Sequence, residues 1–372
     1  MIKILFLINT LGGGGAERVL VNLVNNMDKE KFDITVETMF ADGVNRRMLS
    51  PEIHYLNKNP LNIRGLSNII KYIPAKLLYK YYIDEVDYDL VVAYMHGIPT
   101  KVLSPCAGMP KIAWLHYGNP EKGTFFDFWF DRKKAISAYD SFDAIVGVSQ
   151  SVTDAFREYT GIQNKCYTLY NTNDTSRILR LSRESSSGVL EGLEGTIFCS
   201  SGRLTDQKGF DRLIESGKRL FNDGYKFTII IMGAGLDEEK LKMLVRKNAA
   251  ESYIKLIGFC ENPYSIMQQC DVYISSSREE GLATVLTEAL TLGMPVISTD
   301  VSGAKEVLGS NNEYGLVVEN SEDGIYRGMK RFLENEDMIE QYKSVAKKRA
   351  ERFNTENTVR ETEQFFERIV KL

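Results

Sequence analysis

Short apolar runs alternating with helix-period segments fall into two successive series, and this rhythm restricts the fold more than any other feature. The first series reads as strands at residues 2–8, 33–40, 90–94, 112–116, 144–148 and 167–170. The second occupies residues 196–200, 227–232, 254–258, 272–275, 296–298 and 315–318. Runs of this length suit strands buried on both faces, and the helical segments between them supply the crossovers that parallel strands require. The expected fold class is α/β: two tandem doubly wound, Rossmann-like domains with parallel sheets. Residues 171–195 include Ser185, Ser186, Ser187 and Gly188 and offer little to a core, which marks the boundary between the series. The domains are expected at residues 1–172 and 173–353. Residues 354–372 read as a last helix with Val359, Phe366 and Ile369 or Val370 on a common face, returning to the first domain. Ligands of open α/β sheets bind beyond the carboxyl ends of the strands, so the two domains are expected to face a shared cleft.

A chain of 372 residues is long enough for two such domains. At 43% hydrophobic and 26% charged it belongs with ordinary globular proteins, not with disordered or fibrous ones. The net charge of -4 argues against a nucleic-acid partner while leaving room for a local basic face. Five cysteines without a CxxC motif point to a reduced, cytoplasmic protein. The three histidines, His54, His96 and His116, do not fall at ligand spacing, and no metal is expected. Residues 1–20 begin with a lysine and an apolar run, yet Asn9, Thr10 and a glycine stretch interrupt it, so a buried first strand is expected and not a signal peptide. No apolar run approaches the ~18 to 20 residues needed to span a bilayer, so membrane contact is expected to be peripheral.

Three motifs sit where strands feed helices. Gly12, Gly13, Gly14 and Gly15 follow the first strand and precede a helix, which lets a ligand approach the backbone beside a phosphate-friendly helix start. Neither GxxxxGK nor GxGxxG is present, and a merely flexible turn would look the same. The second series opens with GRLTDQKG at residues 202–209, where Arg203 and Lys208 make a candidate diphosphate clamp, a bidentate fork beside a point charge. Solvated surface cations are the alternative. The stretch at residues 275–300 carries Glu280 and Glu288 around a turn and the helix expected from about Thr284, with seven residues between the carboxylates. If the turn continued helically, both would point the same way.

The joint order and spacing of GGAER at residues 14–18, GRLTDQKG at 202–209 and the Glu280 to Glu288 stretch followed by GMPVIST resemble family four of the retaining glycosyltransferases, with the two-domain GT-B fold. The resemblance implies that Arg203 and Lys208 hold the donor diphosphate, that Glu288 binds the ribose and that Glu280 contacts the transferred sugar. Backbone amides of Gly281, Leu282, Ala283, Thr284 and Val285, with Gly13 and Gly14, complete the implied grip. It also implies retention of configuration and no metal cofactor, since cations and helix dipoles neutralise the leaving diphosphate. Leu282 and Ala283 stand where Phe and Gly are frequent, which loosens any inference about the sugar.

His116 ends the strand KIAWLHYG, and the resemblance implies a place beside the reaction centre; His96 is a weaker candidate on the acceptor side. Asp87 and Asp89 form a DxD, but at the wrong strand end for a ligand site. Residues 53–83 contain no acid, while Lys58, Arg64, Lys71, Lys76 and Lys80 alternate with Leu66, Ile69, Ile70, Ile73, Leu77 and Tyr81, a candidate contact with an anionic membrane. Pro74 disturbs the helical phase there, and Lys80 falls near the apolar face. A second candidate runs Thr124, Phe125, Phe126, Asp127, Phe128, Trp129, Phe130, followed by Arg132, Lys133 and Lys134; it holds more aromatic surface than one helix face buries. The expected function is transfer of a hexose or N-acetylhexosamine from a UDP-sugar to a lipid-linked or polysaccharide glycan, in the cytoplasm or at the inner face of the cell membrane. The alternatives are a nucleotide-sugar epimerase, a transferase acting on a soluble or protein acceptor, and a non-catalytic nucleotide-sugar-binding module.

Overall fold

The computed structural model describes all residues except 41–42, 60–68, 84–86, 118–123, 127, 186–187 and 372. Arg64, Leu66, Asp127, Ser186 and Ser187 therefore lie outside the described residues. The chain forms two compact units, Met1–Asn173 together with Thr355–Leu372, and Asp174–Asn354.

In the first unit the described strands are β1 (Ile2–Ile8), β2 (Phe32–Thr38), β3 (His54–Asn57), β4 (Leu90–Ala93), β5 (Lys111–Leu115), β6 (Ala144–Gly147) and β7 (Cys166–Thr168). They pair in parallel in the order β3-β2-β1-β4-β5-β6-β7. The register sets Ile4 against Ile34 on one side and against Leu90 on the other. Residues 4–8 of β1 are inaccessible to solvent, as a central strand covered on both faces demands. The short edge strand β3, HYLN, alternates exposed and half-buried residues. Its polarity kept it from standing out as an apolar run.

The second unit contains β8 (Thr196–Ser201), β9 (Phe227–Met232), β10 (Ile254–Gly258), β11 (Val272–Ser275), β12 (Val296–Thr299) and β13 (Leu316–Val318), parallel and ordered β10-β9-β8-β11-β12-β13. Phe198, Ile229, Ile231 and Ile274 of this sheet share a core with Leu213 and Ile214 from the helix Phe210–Asn222 and with Phe332 from the helix Glu322–Glu334.

Both sheets reverse direction of winding once, between β1 and β4 and between β8 and β11. Loops leaving the carboxyl ends of two such strands run apart to opposite faces, and the crevice between them is where open α/β sheets take ligands. In each unit two loops flank that crevice.

The helix Thr355–Val370 belongs to the first unit. Val359, Thr362, Phe366 and Ile369, spaced for one helical face, are buried, with Phe366 packed against Phe6 and Trp114. Burial of each large apolar side chain contributes about 1.5 to 3 kcal/mol, which is what holds a helix so distant in sequence. Asp89 closes the opposite end of the sheet: its carboxylate accepts from the Lys3 amide at 2.8 Å, and its own amide donates to the Lys3 carbonyl at 2.9 Å. The DxD thus ties the start of β4 to β1.

Candidate active site

The second unit's switch point is built from residues 202–209 after β8 and residues 276–283 after β11. Gly209 starts the helix Phe210–Asn222 with φ of 63°, and a Cβ there would lie 2.2 Å from the Ser276 carbonyl oxygen, so the two loops meet only because this residue is glycine. They are then laced by the Arg278 amide donating to the Gln207 carbonyl at 2.7 Å, Gln207 Nε2 donating to the Glu279 carbonyl at 3.0 Å, and Ser276 Oγ donating to the Lys208 carbonyl at 2.9 Å. Arg278 grips Asp211 with both ends of its fork, at 2.8 and 2.7 Å. Burial alone would raise the Asp211 carboxyl, but the guanidinium and backbone amides hold it below the ordinary range.

Within this frame Lys208 Nζ donates to Glu280 Oε1 at 2.6 Å, and Ser277 Oγ donates to the same oxygen at 2.7 Å. The two side chains retain 19% and 10% of their exposure, so the pair is shielded far more than a surface salt bridge. The Ser277 carbonyl is itself held by Thr299 Oγ1 at 2.6 Å. Glu280 does not lie on the helix, which runs Thr284–Thr291 with Ala283 at its N-cap. The turn at residues 278–283 intervenes, so shared helical phase is not what relates Glu280 to Glu288, which sits half-buried in the second turn. Gly281, Leu282 and Ala283 are buried, and Thr284 and Val285 begin the helix beside them. Arg203, on the same loop as Lys208, is exposed, and its guanidinium makes no ion pair with a described residue.

In the first unit the loop after β1 is held from outside. A Cβ on Gly43 would fall 2.1 Å from the Leu11 carbonyl oxygen, the Asn45 amide donates to that oxygen at 3.0 Å, and Asn45 Nδ2 donates to the Gly12 carbonyl. Gly13 is exposed; Gly14 is the N-cap of the helix Gly15–Asn26. A Cβ on Gly14 would meet the Glu17 carboxylate at 2.1 Å, so a first-turn acid of the helix already covers the glycine loop. The positive helix start draws this carboxylate, a competitor for any incoming anion.

At the ends of β4 and β5, Tyr94 lies against His116 at 4.6 Å and Trp114 at 5.0 Å between ring centres. Tyr94 Oη, His96 Nδ1, Trp114 Nε1 and His116 Nε2 are all out of contact with solvent and without a hydrogen-bond partner among the described residues. Burial pushes His96 down to about 4; burial and the neighbouring His96 push His116 down to about 3. Both imidazoles are neutral at physiological pH, donors and acceptors and not cations. Among the described residues no group of three or more His, Cys, Asp and Glu gathers where a metal ion could be held.

Residues 13–177 match the model of Glycosyltransferase Family 4, and residues 183–349 match that of Glycosyl transferases group 1. The chain is a glycosyltransferase built of a family-four domain followed by a group 1 domain. A Campylobacter jejuni N-acetylgalactosamine-N,N'-diacetylbacillosaminyl-diphospho-undecaprenol 4-alpha-N-acetylgalactosaminyltransferase is 27% identical over 95% of this chain and 96% of its own. The crystal structure of Anabaena HepE with UDP and glucose superposes with a TM-score of 0.76 at 20% identity, covering 99% of this chain and 100% of that one. Sucrose-phosphate synthase from Thermosynechococcus elongatus gives 0.81 at 14% identity over 99% of each chain. These structural likenesses share the GT-B fold with the glycosyltransferase, a hexosyltransferase by its family and relatives.

Several residues that shape the glycosyltransferase's site were not singled out from sequence. Ser277 reads as one of three serines, although a hydroxyl three residues before a glutamate is a recognisable short-range partner. Arg278 and Asp211, 67 residues apart, carry no local signal. Glu17 lies within GGAER but was read as part of a motif, not as an occupant of the glycine loop.

Proposed function

We propose that the enzyme transfers a hexose or N-acetylhexosamine from a UDP-sugar to a lipid-linked glycan, retaining anomeric configuration and using no metal ion, at the cytoplasmic face of a membrane. The observation that carries this reading is the Lys208–Glu280–Ser277 cluster at the switch point of the second sheet. The first unit is the acceptor domain in this reading and the second the donor domain. Arg203, exposed and uncommitted to an ion pair, takes the donor diphosphate as a bidentate fork, with Lys208 supplying a point charge beside it. As the bond to the anomeric carbon breaks, negative charge grows on the diphosphate, and fixed cations stabilise it without reorganising. Glu280, held by Ser277 and Lys208, is oriented for a sugar hydroxyl, and Glu288 for the ribose. Gly281, Leu282, Ala283, Thr284 and Val285 add amides at a helix start, as Gly13 and Gly14 do on the other unit once Glu17 yields. His116, neutral, offers a hydrogen bond to a sugar hydroxyl.

The lipid-linked acceptor is supported by the printed substrate of the Campylobacter relative, aligned over nearly the full length of both chains. UDP is supported by the ligand of the HepE structure. The test is UDP release by the purified enzyme from a panel of UDP-sugars, with and without a lipid extract. Slow release alone and fast release with extract is the expected result; equal rates in both would remove the lipid-linked acceptor.

A further inference from the structure

Two stretches about sixty residues apart in sequence, both read as candidate membrane contacts, meet on one face of the first unit. The rings of Tyr72 and Phe130 lie 5.2 Å apart, and these residues are 67% and 72% exposed. The remaining aromatics of the second stretch behave otherwise than its composition suggests. Phe125 is buried against Phe156, Phe126 stacks on Tyr159 at 5.5 Å, and Arg132 covers Tyr159 at 4.4 Å while donating to its carbonyl. Only the end of the stretch reaches outward. In the helix Ala75–Tyr82, which Pro74 starts and does not break, Leu78 and Tyr82 are buried, so Lys76, Leu77, Lys80 and Tyr81 face solvent. Leu77 is 61% exposed.

Between this helix and the helix Arg132–Asp140 runs a groove of about 590 Å3 bordered by Lys76, Lys133, Lys134, Ser104, Ser137 and Trp129. The Trp129 indole Nε1 is shielded from water and has no acceptor among the described residues. An unpaired donor in that position is costly unless a ligand oxygen meets it. Of the two acids flanking Trp129, Asp127 lies outside the described residues, and Asp131 caps the helix by accepting from the Lys133 amide at 2.7 Å. None of Lys71, Lys76, Lys80, Lys133 and Lys134 is in an ion pair with a described residue. A chain of net charge -4 thus gathers unneutralised lysines around exposed aromatic and aliphatic side chains.

We propose that this face docks the enzyme on an anionic lipid bilayer, with a lipid phosphate in the groove between Lys76, Lys133, Lys134 and the Trp129 N–H, and with Tyr72, Leu77 and Phe130 entering the interfacial layer. Aromatic rings favour that layer, and lysine stems lie along apolar surface while their ammonium groups reach phosphate. The inference rests on the lipid-linked acceptor proposed above. No described helix is long and apolar enough to cross a membrane, so a surface of this kind is what would bring the enzyme to such an acceptor.

The test is co-sedimentation with phosphatidylcholine vesicles, with and without phosphatidylglycerol, over a range of salt. Each lysine near an anionic surface is worth about five-fold in partitioning, so K76E/K133E/K134E should weaken binding by at least about 100-fold. Tyr72→Ser with Phe130→Ser should weaken it at every salt concentration, and Trp129→Phe, which keeps a ring but removes the N–H, should weaken it several-fold. Thermal stabilisation by UDP must be unchanged in each variant, which establishes that it is folded. Wild-type protein that ignores phosphatidylglycerol, or a charge-reversed variant that sediments like wild type, overturns the proposal. Transfer to a detergent-dispersed acceptor without vesicle binding removes only the surface; vesicle binding without transfer to any lipid-linked acceptor removes only the functional reading. Capture of a protein partner by this face in place of vesicles also overturns it.

Discussion

At the switch point of the second sheet Lys208 pairs with Glu280 and Arg278 with Asp211 at hydrogen-bond distance, whereas at that of the first sheet Tyr94, His96 and His116 present polar atoms that no described residue meets. Both crevices follow from the same strand order, so topology does not make the difference. If the second crevice holds a diphosphate, as proposed, it needs charges already desolvated and fixed, and internal pairing keeps them from collapsing elsewhere. If the first admits a neutral sugar, uncharged imidazoles and a buried phenol suit it. The glycine loop of the first unit departs from this neutrality, because Glu17 lies over it and any anion arriving there must displace a like charge.

The comparison breaks most readily at Lys208. Lys208→Met leaves a carboxylate with 10% of its exposure and one remaining hydroxyl donor. Stranding a buried charge costs several kcal/mol, and here about 3 kcal/mol, or about 100-fold in kcat/KM, is expected after allowing for partial exposure. Adding Glu280→Gln should recover part of that loss. A double-mutant cycle measures it, and simple additivity would show that the pair is not a unit.

Arg203 should respond more weakly and differently. Its guanidinium is exposed and in no ion pair with a described residue, so it can be lost without a stability penalty. Arg203→Ala should leave the melting temperature unchanged and reduce donor affinity by about 1.5 to 3 kcal/mol, with Arg203→Lys recovering only a fraction because the fork is gone. Calorimetry with UDP and thermal denaturation together check this; a lowered melting temperature would place Arg203 in the internal network.

The effect in the first unit is read in stability and not in turnover. His96 and His116 are held below the ordinary histidine range, so the unfolded chain takes up protons before the folded one does. Stability from this source is therefore complete above pH 6.5 and declines as pH falls toward about 4, by up to about 1.4 kcal/mol per pH unit for each histidine. Thermal melts from pH 7 to 4.5 should show a shallower decline in His116→Gln than in wild type. Identical slopes would mean that the imidazole is not buried neutral.

Fold class and strand runs were legible because buried parallel strands are written as uninterrupted apolar segments; β3 was not, since an edge strand needs no such run. Helix Thr355–Val370 was legible through its single apolar face. Within the site, sequence located the loops but not their interlocking. The Lys208–Glu280 contact spans 72 residues, and nothing local to either residue announces the other. The aromatic run after His116 misled for the same reason: composition counted rings, while their partners, Phe156 and Tyr159, lie on another helix.

The return of residues 355–370 to the first unit has a consequence for how the protein is made. On a ribosome, Phe6 and Trp114 emerge long before Phe366, the ring they finally pack against, so the first unit must wait with part of its interior uncovered while the whole of the second is translated. At about 5 to 20 residues per second that interval is on the order of ten to forty seconds. The later-born unit, drawn from residues 174–354 alone, is thus able to finish folding first.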